Sequence, residues 1–250
     1  MSQTFALVTG TSSGVGAATA RLLLDRGWFV VGVSRRAAEI DRANYHHLAL
    51  DLADVDAVPL AIERHVAPML TSKPWQRVGL VNNAARADLL MPFNRLQPRD
   101  LMAMLALNTV TPIWLMGFIL RTTPSAAALR IANVSTGGAV KAFPGLAAYC
   151  TSKAALRMAG EVVATELDPA RRVAPGPTDV AIFSYQPGTV DTRMQTEART
   201  RDEHEFPWGQ LFRDFHAKGM LVSPDRPAAE IVAFLESESA PLIEERRLSS

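Results

Sequence analysis

The sequence is poor in several things that often carry chemistry. It holds one cysteine, Cys150, so no disulfide can form within the chain and no cysteine cluster can hold zinc. It has four lysines against 22 arginines, and with 25 acidic residues the net charge is only +1. That balance gives no electrostatic case for nucleic acid or an anionic membrane as partner. The most apolar stretch, about residues 111–120, is shorter than a bilayer requires, and no secretory pattern precedes the first apolar run. A cytoplasmic protein with no membrane partner is the expectation. No pair of histidines sits at metal-ligand spacing, so His46 and His47 read as structural and no metal is expected.

What remains is an ordinary globular balance, with 48% hydrophobic and 20% charged residues over 250 positions. Apolar runs of strand length at 5–9, 28–34, 46–50, 78–82, 131–134 and 180–186 alternate with helical patterns, among them 55–70 and a stretch from residue 98 to about 120. No linker, repeat or low-complexity block interrupts them. Such alternation predicts one α/β domain over 1–250, doubly wound, with a mostly parallel sheet and helices on both faces. Residues 168–179 contain four helix breakers and read as a loop. About 188–223 reads as a lid after a strand-to-helix turn, with Phe206, Trp208, Phe212 and Phe215 mostly as its own core. The tail after about residue 235 is polar and reads as loose.

The first strand runs into Gly10-Thr11-Ser12-Ser13-Gly14-Val15-Gly16 and then a helix ending near Gly27. Glycines there permit a tight turn and let a phosphate approach backbone N–H groups at the positive end of the helix. The second strand ends in Ser34-Arg35-Arg36, where dinucleotide-binding folds that prefer NAD carry an acid. Two guanidinium groups suit a 2′-phosphate, which points to NADP. Asp51, before Leu52, can bond an adenine amino group or cap the helix that follows. After the fourth strand, the small residues of Asn83-Ala84-Ala85 let backbone lie against a ligand. Asn108 interrupts an apolar helix; from the local sequence it is structural, bonding backbone or holding a water near Lys153.

The third element is a hydroxyl, a phenol and an ammonium. Tyr149 and Lys153 are four residues apart at the start of a long helix, on one face. Ser135 and Thr136 close the short strand before them. A cation one turn away lowers a phenol's pKa, and a tuned phenol can exchange a proton with an alcohol or carbonyl oxygen.

Taken together, these motifs resemble the short-chain dehydrogenases/reductases. Thr9-Gly10-x3-Gly14-x-Gly16, Asp51-Leu52, Asn82-Asn83-Ala84-Ala85, Asn108, Ser135-Thr136, Tyr149-x3-Lys153 and Pro187-Gly188-x3-Thr192 follow the family's order and intervals. The resemblance implies an oxidoreductase using NADP(H), with a small carbonyl compound as substrate and a homodimer or homotetramer as the assembly. It places the cofactor against Gly10, Ser12, Ser13, Gly14, Val15, Gly16, Ser34, Arg35, Arg36, Asp51, Leu52, Asn83, Ala84, Ala85, Tyr149, Lys153, Pro187, Gly188, Val190 and Thr192. It makes Tyr149 the proton donor and Lys153 the residue that holds the nicotinamide ribose and lowers the tyrosine's pKa. It also has Asn108 hold a water that links Lys153 to solvent. Tyr185-Gln186-Pro187-Gly188-Thr189-Val190-Asp191-Thr192-Arg193-Met194-Gln195 and Lys218-Gly219-Met220 resemble the sepiapterin and bacterial benzil reductases within the family.

Two positions depart from the family pattern. Ala85 stands where glycine is usual. Thr136 stands thirteen residues before Tyr149, where the family has its catalytic serine; the same hydroxyl with a methyl can serve, or Ser135 can shift into the role. The implied activity is reduction of a small ketone or 1,2-diketone. The pocket is expected between Thr136, Tyr149, residues 137–146 and residues 188–215, with aromatics and Met194 on its wall. Two other readings are an NADP-binding regulatory or scaffold protein without turnover, and an NAD-dependent alcohol dehydrogenase.

Overall fold

The apolar residues after Thr4 divide between two layers. Phe5 and Leu7 join one core, with Val31, Val78, Leu80, Leu129, Ile131 and Ile182; Ala6 and Val8 join the other, with Val30, Val81, Ala132 and Phe183. Successive strand residues point to opposite faces, so a strand apolar at every position must be covered on both sides. The computed structural model describes residues 3–168, 176–204, 206 and 208–248. Among these, seven strands form one sheet: β1 (Thr4–Thr9), β2 (Phe29–Ser34), β3 (Tyr45–Ala49), β4 (Arg77–Asn82), β5 (Ala128–Val134), β6 (Val180–Gln186) and β7 (Ile243–Arg247). The order is β3-β2-β1-β4-β5-β6-β7, every pair parallel.

Helices α1 (Gly14–Asp25) and α9 (Asp225–Glu236) cover one face. The other is covered by α2 (Ala57–His65), α3 (Ala67–Thr71), α5 (Thr111–Thr122) and α6 (Ala147–Leu167), with α4 (Pro98–Leu105) leading into α5. The chain reverses direction across the sheet between β1 and β4. Ligands in open parallel sheets bind outside the carboxyl ends of the strands at that point. Those ends carry Gly10, Ser34, Asn83, Ser135 and Pro187.

Four segments differ from the sequence reading. The helix expected at 55–70 divides at Val66, because Pro68 has no N–H to continue the ladder. The helix expected from residue 98 holds a π-helical turn, Ala106–Val110, with Asn108 in it. Its whole length, Pro98–Thr122, is apolar and long enough to cross a membrane, unlike the shorter run at 111–120. Yet Met104, Leu115, Met116, Phe118 and Ile119 are buried in the protein, which makes it a core helix.

The polar tail is the third difference, since it forms β7 instead of hanging loose. It is held by Ile182 N–H to Leu242 O at 2.9 Å, Leu248 N–H to Gln186 O at 2.8 Å, and a fork from Arg157 to Glu245 at 2.8 and 2.9 Å. An edge strand with one wet face has little apolar pattern to detect. β5 also begins earlier than its apolar run. Arg130 is fully buried within it, and the charge is tolerated because Asp179 accepts at 2.7 and 3.2 Å and Ser237 O at 3.0 Å. Of the loop expected at 168–179, residues 169–175 lie outside the described residues.

Candidate active site

One end of the site is made of backbone. Gly10 and Gly14 have φ of 76° and 60°, a region that side chains disfavour. Gly16 is needed for space: a Cβ there would lie 2.4 Å from both Gly10 O and Asn83 Nδ2. Asn83 ties the turn to β4 by donating from Nδ2 to Thr9 O at 2.9 Å. Buried Thr9 completes the stitch: its Oγ1 donates to Val81 O at 3.1 Å and accepts from the N–H groups of Asn83 and Ala84 at 2.9 and 3.0 Å. Ala85 follows without strain, because among the described residues only glycines have a positive φ. The methyl that departs from the family pattern therefore costs no left-handed backbone.

Arg35 and Arg36 stand at the end of β2. Arg35 is exposed and lies 3.8 Å from Asp51, an ion pair weak enough to yield to a stronger anion. Asp51 also accepts from Ala53 N–H at 3.0 Å, while the N–H of Ala57, at the start of α2, goes to Asp54 at 3.0 Å. The capping role weighed for Asp51 thus belongs to Asp54.

The other end is made of side chains. Lys153 is 2% exposed, and its Nζ donates to Val134 O at 2.7 Å. Burial pulls its pKa down to about 8. The Tyr149 ring is half-buried beside Leu89, Met104 and Ala148. Burial pushes its phenol up to about 12, with a hydrogen bond to the Thr136 side chain working the other way. This corrects the expected lowering of the phenol by Lys153. The ammonium is engaged with a strand carbonyl, and desolvation of the phenol decides the direction. The phenol is accordingly protonated at neutral pH.

Thr136, not Ser135, meets the tyrosine. Its Oγ1 accepts from Gly138 N–H at 3.3 Å, which leaves its own proton for Tyr149 or a substrate oxygen. Ser135 is 4% exposed, and its Oγ has no hydrogen-bond partner among the described residues. Asn108 is fully buried and acts as a clamp: its amide accepts from Arg86 N–H and donates to Arg86 O, both at 2.9 Å, and donates to Ser152 Oγ at 3.1 Å. Ser152 in turn donates to Tyr149 O at 2.7 Å. Bonding to backbone was one of the two possibilities read from sequence. The side chain is fully engaged by these partners.

A cleft of about 560 Å³ joins the two ends. Every cofactor residue expected from sequence lines it except Gly16, which lies beneath the turn; of the five catalytic candidates, Asn108 alone stands behind the wall. The segment after β6 closes the near side. Val190 pairs with Val222, and Thr192 starts α7 (Arg193–Thr200) against Gly14.

Residues 137–146 and the lid aromatics do not line the cleft, contrary to expectation. Phe206 is buried with Leu90, Ala198, Leu146 and Phe212, under α8 (Gly209–Ala217), while Trp208 remains partly exposed. The aromatics are thus chiefly the lid's own core. Sequence reading missed the wall that takes their place: Arg86, Asp88, Gln195 and Glu197, with the expected Met194. Arg86 forks onto Asp88, with one arm at 2.7 Å, and holds that carboxyl below the usual range. The only signal was an arginine and an aspartate two apart, directly after Ala85.

The site fits a dinucleotide. Its glycine cradle would be filled by a Cβ, and Ser135 offers an orphaned hydroxyl beside the cleft. Residues 4–203 match the model of the family described as short chain dehydrogenase. The chain belongs to this family. It is similar to the benzil reductase ((S)-benzoin forming) of Bacillus cereus, with 29% identity over 95% of this chain and 96% of that protein. It is also similar to the sepiapterin reductase of Xenopus tropicalis, with 26% identity over 93% and 91%. In fold it matches the 3-ketoacyl-(acyl-carrier-protein) reductase of Brucella melitensis solved with NADH, at a TM-score of 0.76 and 23% identity, covering 99% and 97% of the two chains. The protein is an oxidoreductase with a nicotinamide cofactor that acts on CH–OH or C=O groups, and its relatives support a carbonyl reductase.

Proposed function

We propose that the protein is an NADPH-dependent reductase of a small ketone or 1,2-diketone, forming a secondary alcohol. The observation that carries this reading is the convergence of Tyr149, Thr136 and Lys153 on the same cleft as the glycine turn and the two arginines. Reduction needs an acid at the carbonyl oxygen; oxidation would need the phenolate. Arg35 and Arg36 on the cleft carry the choice of NADPH over NADH. When bound, the nicotinamide supplies the hydride.

The protein's own residues do the rest. Thr136 donates a hydrogen bond to the carbonyl oxygen, polarises it and holds it against Tyr149. Tyr149 transfers its proton to that oxygen as negative charge develops there. Lys153 holds its ammonium beside the reacting groups from a buried anchor on Val134, where it favours developing negative charge and can hold a ribose hydroxyl. Asn108 secures Arg86 and, through Ser152, the first turn of α6 that carries Tyr149.

The relative named for benzil favours a diketone. The wall of Arg86, Asp88, Gln195 and Glu197 favours a second substrate reading, a small ketone bearing hydroxyl groups, since polar lining is costly to cover with apolar surface. The test is NADPH oxidation followed at 340 nm with aromatic diketones, aliphatic diketones and hydroxylated ketones, with NADH in parallel. Turnover with NADPH exceeding that with NADH is the expected result. Tight NADPH binding without turnover on any carbonyl would leave a binding protein in its place. A preference for NADH would remove the argument from the two arginines.

A further inference from the structure

Behind the arginine pair lies a line of hydrogen bonds that the chemistry above does not use. Tyr45 and His47 open β3, two residues apart and on one face of the sheet. Gly32 of β2 faces them, and its missing side chain makes room: a Cβ there would lie 2.2 Å from the Tyr45 hydroxyl. The phenol crosses this gap to Thr11, which is fully buried inside the glycine turn. The contacts run from His47 Nδ1 to Tyr45 Oη at 3.3 Å, Tyr45 Oη to Thr11 Oγ1 at 3.2 Å, Thr11 Oγ1 to Ser34 Oγ at 3.4 Å, and Ser34 Oγ to Arg36 O at 2.8 Å.

The last partner sets the direction of them all. A carbonyl only accepts, so the Ser34 proton goes to Arg36 O. Ser34 must then accept from Thr11, Thr11 from Tyr45, and Tyr45 from the N–H of His47. Each hydroxyl gives its one proton forward, and such a chain polarises along its length. Burial pushes the Tyr45 phenol up, so it remains a donor. Two segments that border the cleft, the glycine turn and the end of β2, are thereby braced against one tyrosine on a third strand.

We propose that Tyr45 is a positioning residue for the 2′-phosphate site of the cofactor, acting through Thr11 and Ser34 on the backbone of Arg36. The inference rests on the NADPH reading above. Its test uses binding alone. Calorimetry with 2′,5′-ADP and with 5′-AMP compares ligands with and without the extra phosphate, on the wild-type protein, Tyr45→Phe and Thr11→Val. Tyr45→Phe keeps the ring and its packing and deletes only the donor.

The expected result is a rise of about three- to tenfold in Kd for 2′,5′-ADP, with the 5′-AMP value changed by less than about twofold. The double variant should lose no more than the larger single loss, because the two groups act in one line. Thermal melting confirms that each variant is folded, and if Thr11→Val does not fold, Tyr45→Phe decides by itself. Equal weakening of both ligands, or undiminished selectivity for the phosphate in Tyr45→Phe, would overturn the proposal. A wild-type protein that binds the two ligands alike would overturn the NADPH reading and the inference together, which separates the two failures.

Discussion

Gly16 and Tyr149 belong to the two ends of one cleft, and they resist change for opposite reasons. At the glycine end, function lies in what is missing. No side chain fills the space between Gly10 O and Asn83, and the turn closes on backbone and one buried threonine. At the tyrosine end, function lies in what is present and dry. Tyr149 and Lys153 sit one turn apart in α6, each moved from its ordinary pKa by burial, in opposite directions. Shape can be specified by a short stretch of chain. A shifted pKa needs neighbours from several elements, here β5, α4 and the segment after β4.

Substitutions at each end sharpen that contrast. Tyr149→Phe removes the acid and leaves the ring, so kcat should fall by about 10²- to 10⁴-fold while cofactor binding and melting temperature stay near wild type; a variant with more than a tenth of wild-type turnover would remove Tyr149 from the chemistry. Thr136→Ala should follow, with a loss of about 10²- to 10³-fold in kcat, the scale of one donor to a developing oxyanion, and Thr136→Ser should restore most of it. Gly16→Ala acts on shape instead. Its Cβ would meet Gly10 O at 2.4 Å, so it should cost roughly 1–3 kcal/mol of stability, seen in thermal or urea unfolding, and weaken cofactor binding. Full stability in that variant would show that the turn has room the structure denies. Ser135→Ala should do least, changing cofactor affinity by no more than about tenfold and kcat by less than Thr136→Ala. If it instead proved the more damaging of the two for kcat, the roles of the adjacent hydroxyls would be reversed.

How much could be read in advance follows the same division. The glycine turn, Arg35-Arg36 and Asn83-Ala84-Ala85 are each contiguous, and apart from Thr11 and Gly16 they line the cleft. Tyr149 and Lys153 were legible through helical spacing, but the sign of the tyrosine's shift was not. Spacing shows a cation one turn away, whereas only the fold shows Lys153 engaged by Val134 and the phenol desolvated. The choice between Ser135 and Thr136 was open for a similar reason: both are hydroxyls at the end of one strand, and alternation along the chain turns them different ways. Arg86 and Asp88 carried no motif at all. The lid aromatics, read mostly as the lid's own core, do form one, with Phe206 and Phe212 packed against Leu90 and Leu146.

The sequence by itself determined the layered α/β architecture, through strands apolar on both faces, and the backbone turn at one end of the cleft, through glycines at positions where no side chain fits. Only the tertiary structure decided that the polar tail would complete the sheet as β7, that Thr136 would meet Tyr149, and that the tyrosine's phenol would be desolvated. Pattern and conformational freedom are local properties that a stretch of residues carries with it. Pairing at a sheet edge, hydroxyl orientation and desolvation depend on which distant residues arrive alongside, and those are set when the chain closes on itself.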